Sequence, residues 1–330
     1  MDFNLSPVQH EWQTKAHDLG KALAIDASAS DVIRAAAAAG LIEPPSDAVP
    51  GRTWDLLASA VAVEALAYES SAAGVSFALH AGVVAGLGGD NRFVDLHRGD
   101  LVGSIALSSD DVPAEEGGRL SGRAAWVTPL TPLGIAVIGV RSGDRLAAAA
   151  ISLNAPGVFQ EPVETAALGG LVCGHVRLDA APFIGVGPTM PFMSRVRILL
   201  AAAGLGMGRR ALREALVAAH GRTGHGAGGE QTVQGLLADA ATELDAAMLL
   251  TWKGAAAGEL SLADASMAKL AATEATQRAV ARATQVVGAD SFRRGHIVER
   301  LAQDVRTLEL FAGRTEALRE AVALETLPRS

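Results

Sequence analysis

The hydrophobic period of this chain changes twice, and that constrains its fold more than any other feature. Up to about residue 100 the apolar residues recur at helical spacing. From Leu101 they fall into short β-like runs: Val102 to Leu107, Ala124 to Thr128, Gly134 to Val140, Leu146 to Leu153 and Val176 to Leu178. Glu116-Gly-Gly and Ser142-Gly-Asp punctuate those runs as turns. Helical spacing then returns. Arg195 to Arg222 is one helix, and a glycine-rich break, GRTGHGAGG, follows it. Gln231 to Thr251 carries Val233, Leu236, Leu237, Ala240, Leu244, Ala247 and Met248 on one stripe. Met267, Leu270, Ala271, Ala275 and Ala279 make another stripe, ended by Gly288 and Asp290. Ile297, Val298, Leu301, Val305 and Leu308 make a fourth, and Gly313 interrupts the pattern before Glu316 to Leu324 resumes it.

The expected architecture is α+β, mainly α. It has an N-terminal helical domain over 1–100, a small β-barrel or sandwich over 101–187, and a C-terminal four-helix bundle over 188–330. Within the first part, Ser6-Pro7 reads as N-cap and first helical residue. Ile33 to Leu41, Trp54 to Leu66 and Gly74 to Gly86 read as three more helices. The third of the four is too densely apolar for a surface position.

Composition removes several classes of function. A net charge of −8 without a basic block offers nothing to a nucleic-acid backbone. Cys173 is the single cysteine, so neither an intrachain disulfide nor a thiolate zinc site is available. The opening MDFNLSPVQHEW lacks the charged-then-apolar pattern of a signal, and the longest apolar run, Ile198 to Met207, is too short to span a bilayer. A reducing cytoplasm is the expected compartment. The histidines show no HExxH spacing, so no metal site is expected, and there is no Gly-x-Ser-x-Gly elbow. Gly204, Gly206 and Gly208 spell GxGxG, but they sit inside an Ala-rich helix rather than after a strand. Close helix packing is the better reading of those three, not a dinucleotide turn.

Several segments carry a resemblance. MDFNLSPVQ, VAVEALAYES, Trp126-Val127-Thr128, Arg222-Thr-Gly-His-Gly, ASMAKL, QVVGADSF, VERLAQDVR and LFAGRTEALR together resemble the acyl-CoA dehydrogenase family. The resemblance covers nearly the whole chain and implies an FAD flavoprotein. Such a protein removes an α-proton and a β-hydride from an acyl-CoA thioester, a step of lipid metabolism. It implies that Trp126 and Thr128 lie against the flavin and that Arg222 pairs with the FAD pyrophosphate across a subunit interface. Gln231, Gln285 and Gly288 would touch the same cofactor, and Arg197 would help to hold the CoA portion. A homodimer, a tetramer or a heteromer with a paralogous subunit is implied, together with an electron-transfer partner.

The same resemblance exposes departures. The family's glutamate base falls on Ala312, and the alternative position on the first bundle helix falls on Val196. Arg314 stands where a threonine is usual, and Ala289 and Ser291 where glycines are. The substrate loop after the first β-run is reduced to Ser108-Ser-Asp-Asp, and Pro45 to Gly51 replaces a Glu-Tyr-Gly-Gly turn. Four readings therefore stand. The chain is a dehydrogenase using another carboxylate, with Glu309 and Glu316 the nearest, or a base-less partner subunit of a heteromeric enzyme, or a member repurposed for different flavin chemistry or without FAD, or a flavin-free helical scaffold.

Overall fold

The computed structural model describes residues 4–42, 54–87, 90–107, 112–221 and 231–327. Four helices open the chain: α1 (Pro7–Ala22), α2 (Ala29–Ala38), α3 (Leu56–Glu69) and α4 (Ser71–Leu87). Ser6 caps α1 as its sequence requires. Its side chain accepts from the Gln9 N–H while Gln9 reaches back to the Ser6 N–H, a reciprocal box that satisfies two otherwise orphan donors. Asp55 does the same work at α3, accepting from the Ala58 N–H at 2.9 Å. α4 is apolar all round and is buried all round as far as Val84. A short 3₁₀ turn and α5 (Val94–His97) lead into the strands.

Eight strands follow: β1 (Val102–Ala106), β2 (Ala114–Glu116), β3 (Arg119–Val127), β4 (Gly134–Ser142), β5 (Arg145–Ser152), β6 (Val158–Val163), β7 (Cys173–Ala181) and β8 (Ile184–Gly187). They form one sheet in the order β6-β7-β3-β2-β4-β5-β8, with β1 paired in parallel to β4. Alternation along β4 and β5 sorts the two faces. Ala136, Ile138, Val140, Ala149 and Ile151 join a cluster internal to the sheet with Leu120, Val127 and Leu178. Val137, Ala148 and Ala150 face the other way, onto Val83, Val84, Phe93 and Phe192 of the helical part.

β2, β6 and β8 are absent from the sequence expectation. β6 and β8 are the two ends of the sheet, and Val-Phe-Gln-Glu-Pro-Val has the polar, proline-bearing texture of an edge strand. β2 has only three residues.

The C-terminal part holds α6 (Met190–Gly221), α7 (Gln231–Ala255), α8 (Leu262–Val287), α9 (Ile297–Leu308) and α10 (Thr315–Thr326), with a 3₁₀ turn over Gly288–Phe292. α6 starts five residues earlier than the apolar stripe indicates. It is also long and apolar enough, by length and composition, to cross a bilayer, but its apolar window is 78% buried inside the protein. α6 is the central helix. It packs on α3 and α4 to one side and on α7, α8 and α9 to the other, and a single hydrophobic cluster runs from Trp12 through Leu205 to Leu308.

The glycines of GxGxG lie on α6 where neighbours come close. A Cβ on Gly206 would land on the Glu64 carbonyl oxygen, and one on Gly208 would stand 2.5 Å from a Leu244 methyl. Gly206→Ala is accordingly expected to destabilise the protein by about 1–3 kcal/mol, since backbone cannot retreat as a side chain can. The check is the midpoint of chemical unfolding; an unchanged midpoint would refute the close approach of α3 and α6.

Candidate functional site

Three groups of sequence-singled residues occupy three places. The first is a bulge in β3. Along the β3–β7 ladder Ala124 faces Val176, but the next pair is Val127 with Gly174. Ala125 and Trp126 thus stand opposite His175 alone, the two-against-one geometry that bends a strand and re-aims a side chain. Trp126 takes the left-handed conformation, φ 57°, which a bulky residue adopts only where its surroundings impose it. The residue is 53% exposed, although one of this size is usually largely covered. The Trp126 N–H donates to His175 Nδ1 at 3.3 Å. The two rings meet edge to face, 5.3 Å between centroids at 69°.

Thr128, expected to lie against a flavin, is only 2% exposed. Its hydroxyl donates to the Trp126 carbonyl at 3.1 Å, and its backbone bonds Ile105 in both directions. It braces the bulge from behind, so the outward-facing member of the pair is Trp126.

The second place is the turn between α9 and α10. Ala312 (φ 54°) and Gly313 (φ 111°) are both left-handed, and two buried cations hold their carbonyls. Arg197, from α6, donates through Nε to the Ala312 oxygen at 2.9 Å and through Nη1 to Ser266 Oγ at 2.7 Å. Lys269, from α8, donates to the Gly313 oxygen at 3.0 Å. A side chain at 313 would strike the Arg197 guanidinium, its Cβ falling 2.9 Å from Nη2.

Burial lowers Arg197 to about 10. Burial, and then the charge of Arg197, lowers Lys269 to about 7, with Glu309 pulling the other way. Arg197, expected to grip CoA, is instead directed inward and anchors this turn. Val196 is fully buried against Gly82 of α4. Glu309 is half-buried and accepts from Gln277 Nε2 at 3.2 Å, whereas Glu316 is exposed in the first turn of α10. Ser266 and Lys269 were not singled out as site residues from the sequence. The available signal was a lysine on the alanine stripe of ASMAKL, where Ala265, Ala268 and Ala272 are all buried.

The third place is the far end of the bundle. Gln231 opens α7 and is exposed; Gln285 is exposed near the end of α8, and Gly288 (φ 75°) caps that helix. Sixteen residues separate Gln285 from Lys269 along α8, a distance of about 24 Å at the helical rise. Ser291 is buried, and its hydroxyl donates to the Gly288 oxygen at 2.6 Å, while Ala289 is exposed. Arg222 lies outside the described residues, as do Ser108 to Asp111 and Pro45 to Gly51.

A cleft of about 760 Å³ between α1, α3, α6 and α7 contains none of these residues. Its charges answer one another. Arg209 bonds Glu64 at 2.8 Å and Asp245 at 3.0 Å, and Arg210 bonds Glu214 at 2.9 Å. Burial raises the Glu64 carboxyl above the ordinary range in spite of Arg209. Among the described residues no three His, Cys, Asp or Glu side chains gather as a metal site would require.

The helix–sheet–bundle order is an acyl-CoA dehydrogenase-like fold. Residues 185–327 match the family model for the acyl-CoA dehydrogenase C-terminal domain. The match spans 143 of the chain's 330 residues and takes in the whole of the C-terminal bundle.

Among curated relatives, the short-chain specific acyl-CoA dehydrogenase of Bos taurus is 28% identical over 259 residues, 68% of this chain and 63% of that protein. A probable acyl-CoA dehydrogenase of Bacillus subtilis is 26% identical over 84% of each chain. The solved structure of butyryl-CoA dehydrogenase from Megasphaera elsdenii shares the fold, with a TM-score of 0.87 over 99% of this chain and 100% of that one at 19% identity.

Proposed function

We propose that this protein is an FAD flavoprotein that carries out, or takes part in, the α,β-dehydrogenation of an acyl-CoA thioester. The observation that carries the reading is the bulge at Trp126. An exposed, conformationally fixed aromatic face is what a planar ring system stacks against, and it stands where the family resemblance places the flavin. Solved relatives of the same fold include one described as an FAD complex and another in complex with FADH2.

The residues that fit FAD are Trp126 for the ring, with Gln231, Gln285 and Gly288 at the distant end of the bundle for amide and backbone contacts. FAD, when bound, supplies the acceptor for the hydride that leaves the β-carbon. The chain's own task is to orient the thioester and to take the α-proton. A methyl group at 312 cannot take it. Of the two nearby carboxylates Glu309 is the better placed, half-buried and within the field of Lys269. Gln277 holds one of its oxygens.

The alanine at 312 also favours a second reading, a base-less subunit that completes a heteromer with a paralogous chain. Gln285, about 24 Å along α8 from the Lys269 that holds the Gly313 turn, suits a cofactor shared between subunits. A separate flavoprotein would take up the electrons, and the compartment is the cytoplasm.

The visible spectrum decides among these. The protein purified with FAD is expected to be yellow and to bleach with a matching acyl-CoA. A yellow protein that bleaches only in the presence of a paralogous subunit selects the second reading. A protein that cannot be loaded with FAD refutes both.

A further inference from the structure

We propose that His175 is the positioning residue of the Trp126 platform: it sets the left-handed bulge and presents the exposed indole face to a planar ligand. The identity of that ligand as flavin rests on the function proposed above.

The argument begins with the ladder. His175 lies in β7 between two partners. On one side its backbone is registered to Glu161 of β6; on the other it faces the extra residues of the β3 bulge. The β6 side fixes where the histidine Cα stands. On the bulge side the Trp126 N–H is turned out of the regular ladder and has no strand carbonyl opposite it. Its acceptor among the described residues is His175 Nδ1. An accepting Nδ1 places the ring proton on Nε2, so one imidazole tautomer is selected.

The same imidazole lies edge to face with the indole, so it supports both the backbone and the ring of Trp126. Thr128 closes the other side by donating to the Trp126 carbonyl. Both polar backbone groups of a residue in a sparsely populated conformation are thus held by side chains. The outcome is that an aromatic face stays exposed instead of folding down onto the sheet.

Three substitutions separate the roles. His175→Asn keeps an acceptor near the Nδ1 position without the ring. His175→Phe keeps the ring edge without the acceptor, and His175→Ala keeps neither. Two readouts apply to each: FAD titration, and the near-ultraviolet circular dichroism of flavin-free protein with Trp126→Phe as the reference for the Trp126 contribution.

The Trp126 signal is expected to disappear in His175→Ala and His175→Phe, and FAD binding to weaken by about tenfold or more, while His175→Asn recovers most of both. If His175→Asn is as impaired as His175→Ala, or if His175→Ala behaves as wild type, the proposal is overturned. Should His175→Ala fail to fold, the contrast between the Asn and Phe variants decides. If the wild type takes up no FAD the flavin reading fails, and the dichroism of flavin-free protein still decides for or against His175.

Discussion

Lys269→Met is expected to make this protein more stable than the wild type at pH 6, with the advantage falling away as the pH rises towards 10. Lys269 is fully buried, and its ammonium faces one neutral acceptor, the Gly313 carbonyl, with Arg197 adding like charge and Glu309 partly offsetting it. The fold lowers the group from 10.5 to about 7.

Below pH 7 the lysine is charged both folded and unfolded, so the folded state carries the full cost of burying that charge. Between about pH 7 and 10.5 the folded lysine is neutral while the unfolded one still holds its proton. Stability therefore rises with pH across that window, by as much as about 4–5 kcal/mol if Lys269 alone contributed. Methionine removes the cost at low pH. At high pH it forfeits the hydrogen bond that the neutral amine still donates, about 1 kcal/mol. The measurement is chemical unfolding of both proteins from pH 6 to 10. Parallel curves would show that the lysine reaches solvent, contrary to its burial here.

Ala312→Glu is expected to speed the reduction of bound flavin by acyl-CoA by about 10²–10⁴-fold, the usual worth of a positioned base. The turn can accept the change. Its backbone is held by Arg197 and Lys269 through carbonyl oxygens, not through the side chain at 312. Ala312 is already left-handed, so glutamate adds little backbone strain to what alanine bears. Single-turnover bleaching of the FAD-loaded protein measures the effect. An unaltered rate would mean that position 312 does not face the thioester, and the substrate reading of this turn would then be lost. In a chain that is a base-less partner subunit, the same substitution would give activity without the paralogue.

Much of the architecture was legible before any coordinates. The capping signal at Ser6-Pro7, the dense apolar run of α3 and the stripe of α9 are local properties that survive into the fold, whereas on α8 the core face runs through Ala265, Ala268, Lys269 and Ala272 beside the expected Met267, Leu270 and Ala271. GxGxG was legible for the same reason, because a helix interior is incompatible with a phosphate-binding turn. The edge strands β6 and β8 were not, since solvent on one side removes the alternation that marks a strand.

The site was half legible. Trp126 could be found from its segment, but nothing in that segment indicates a bulge, because the partner that makes it, His175, lies 49 residues away. Arg197 reads from its segment as a ligand-facing cation, and only the turn from a distant part of the chain reveals what it holds. Long-range pairing is where local pattern ceases to inform.

The long helix α6 belongs to both helical halves of the molecule. Val196, Met207 and the close-packed Gly206 bury a surface made partly by residues before the sheet and partly by residues after it. A fragment beginning near residue 185 would leave one side of that helix bare. A substitution in α3 or α4 and one in α8 or α9 therefore act on the same helix from opposite ends of the chain. The sheet, with a cluster of its own on one face, is tied to the same body on the other, where Val137, Ala148 and Ala150 meet Val83, Val84, Phe93 and Phe192.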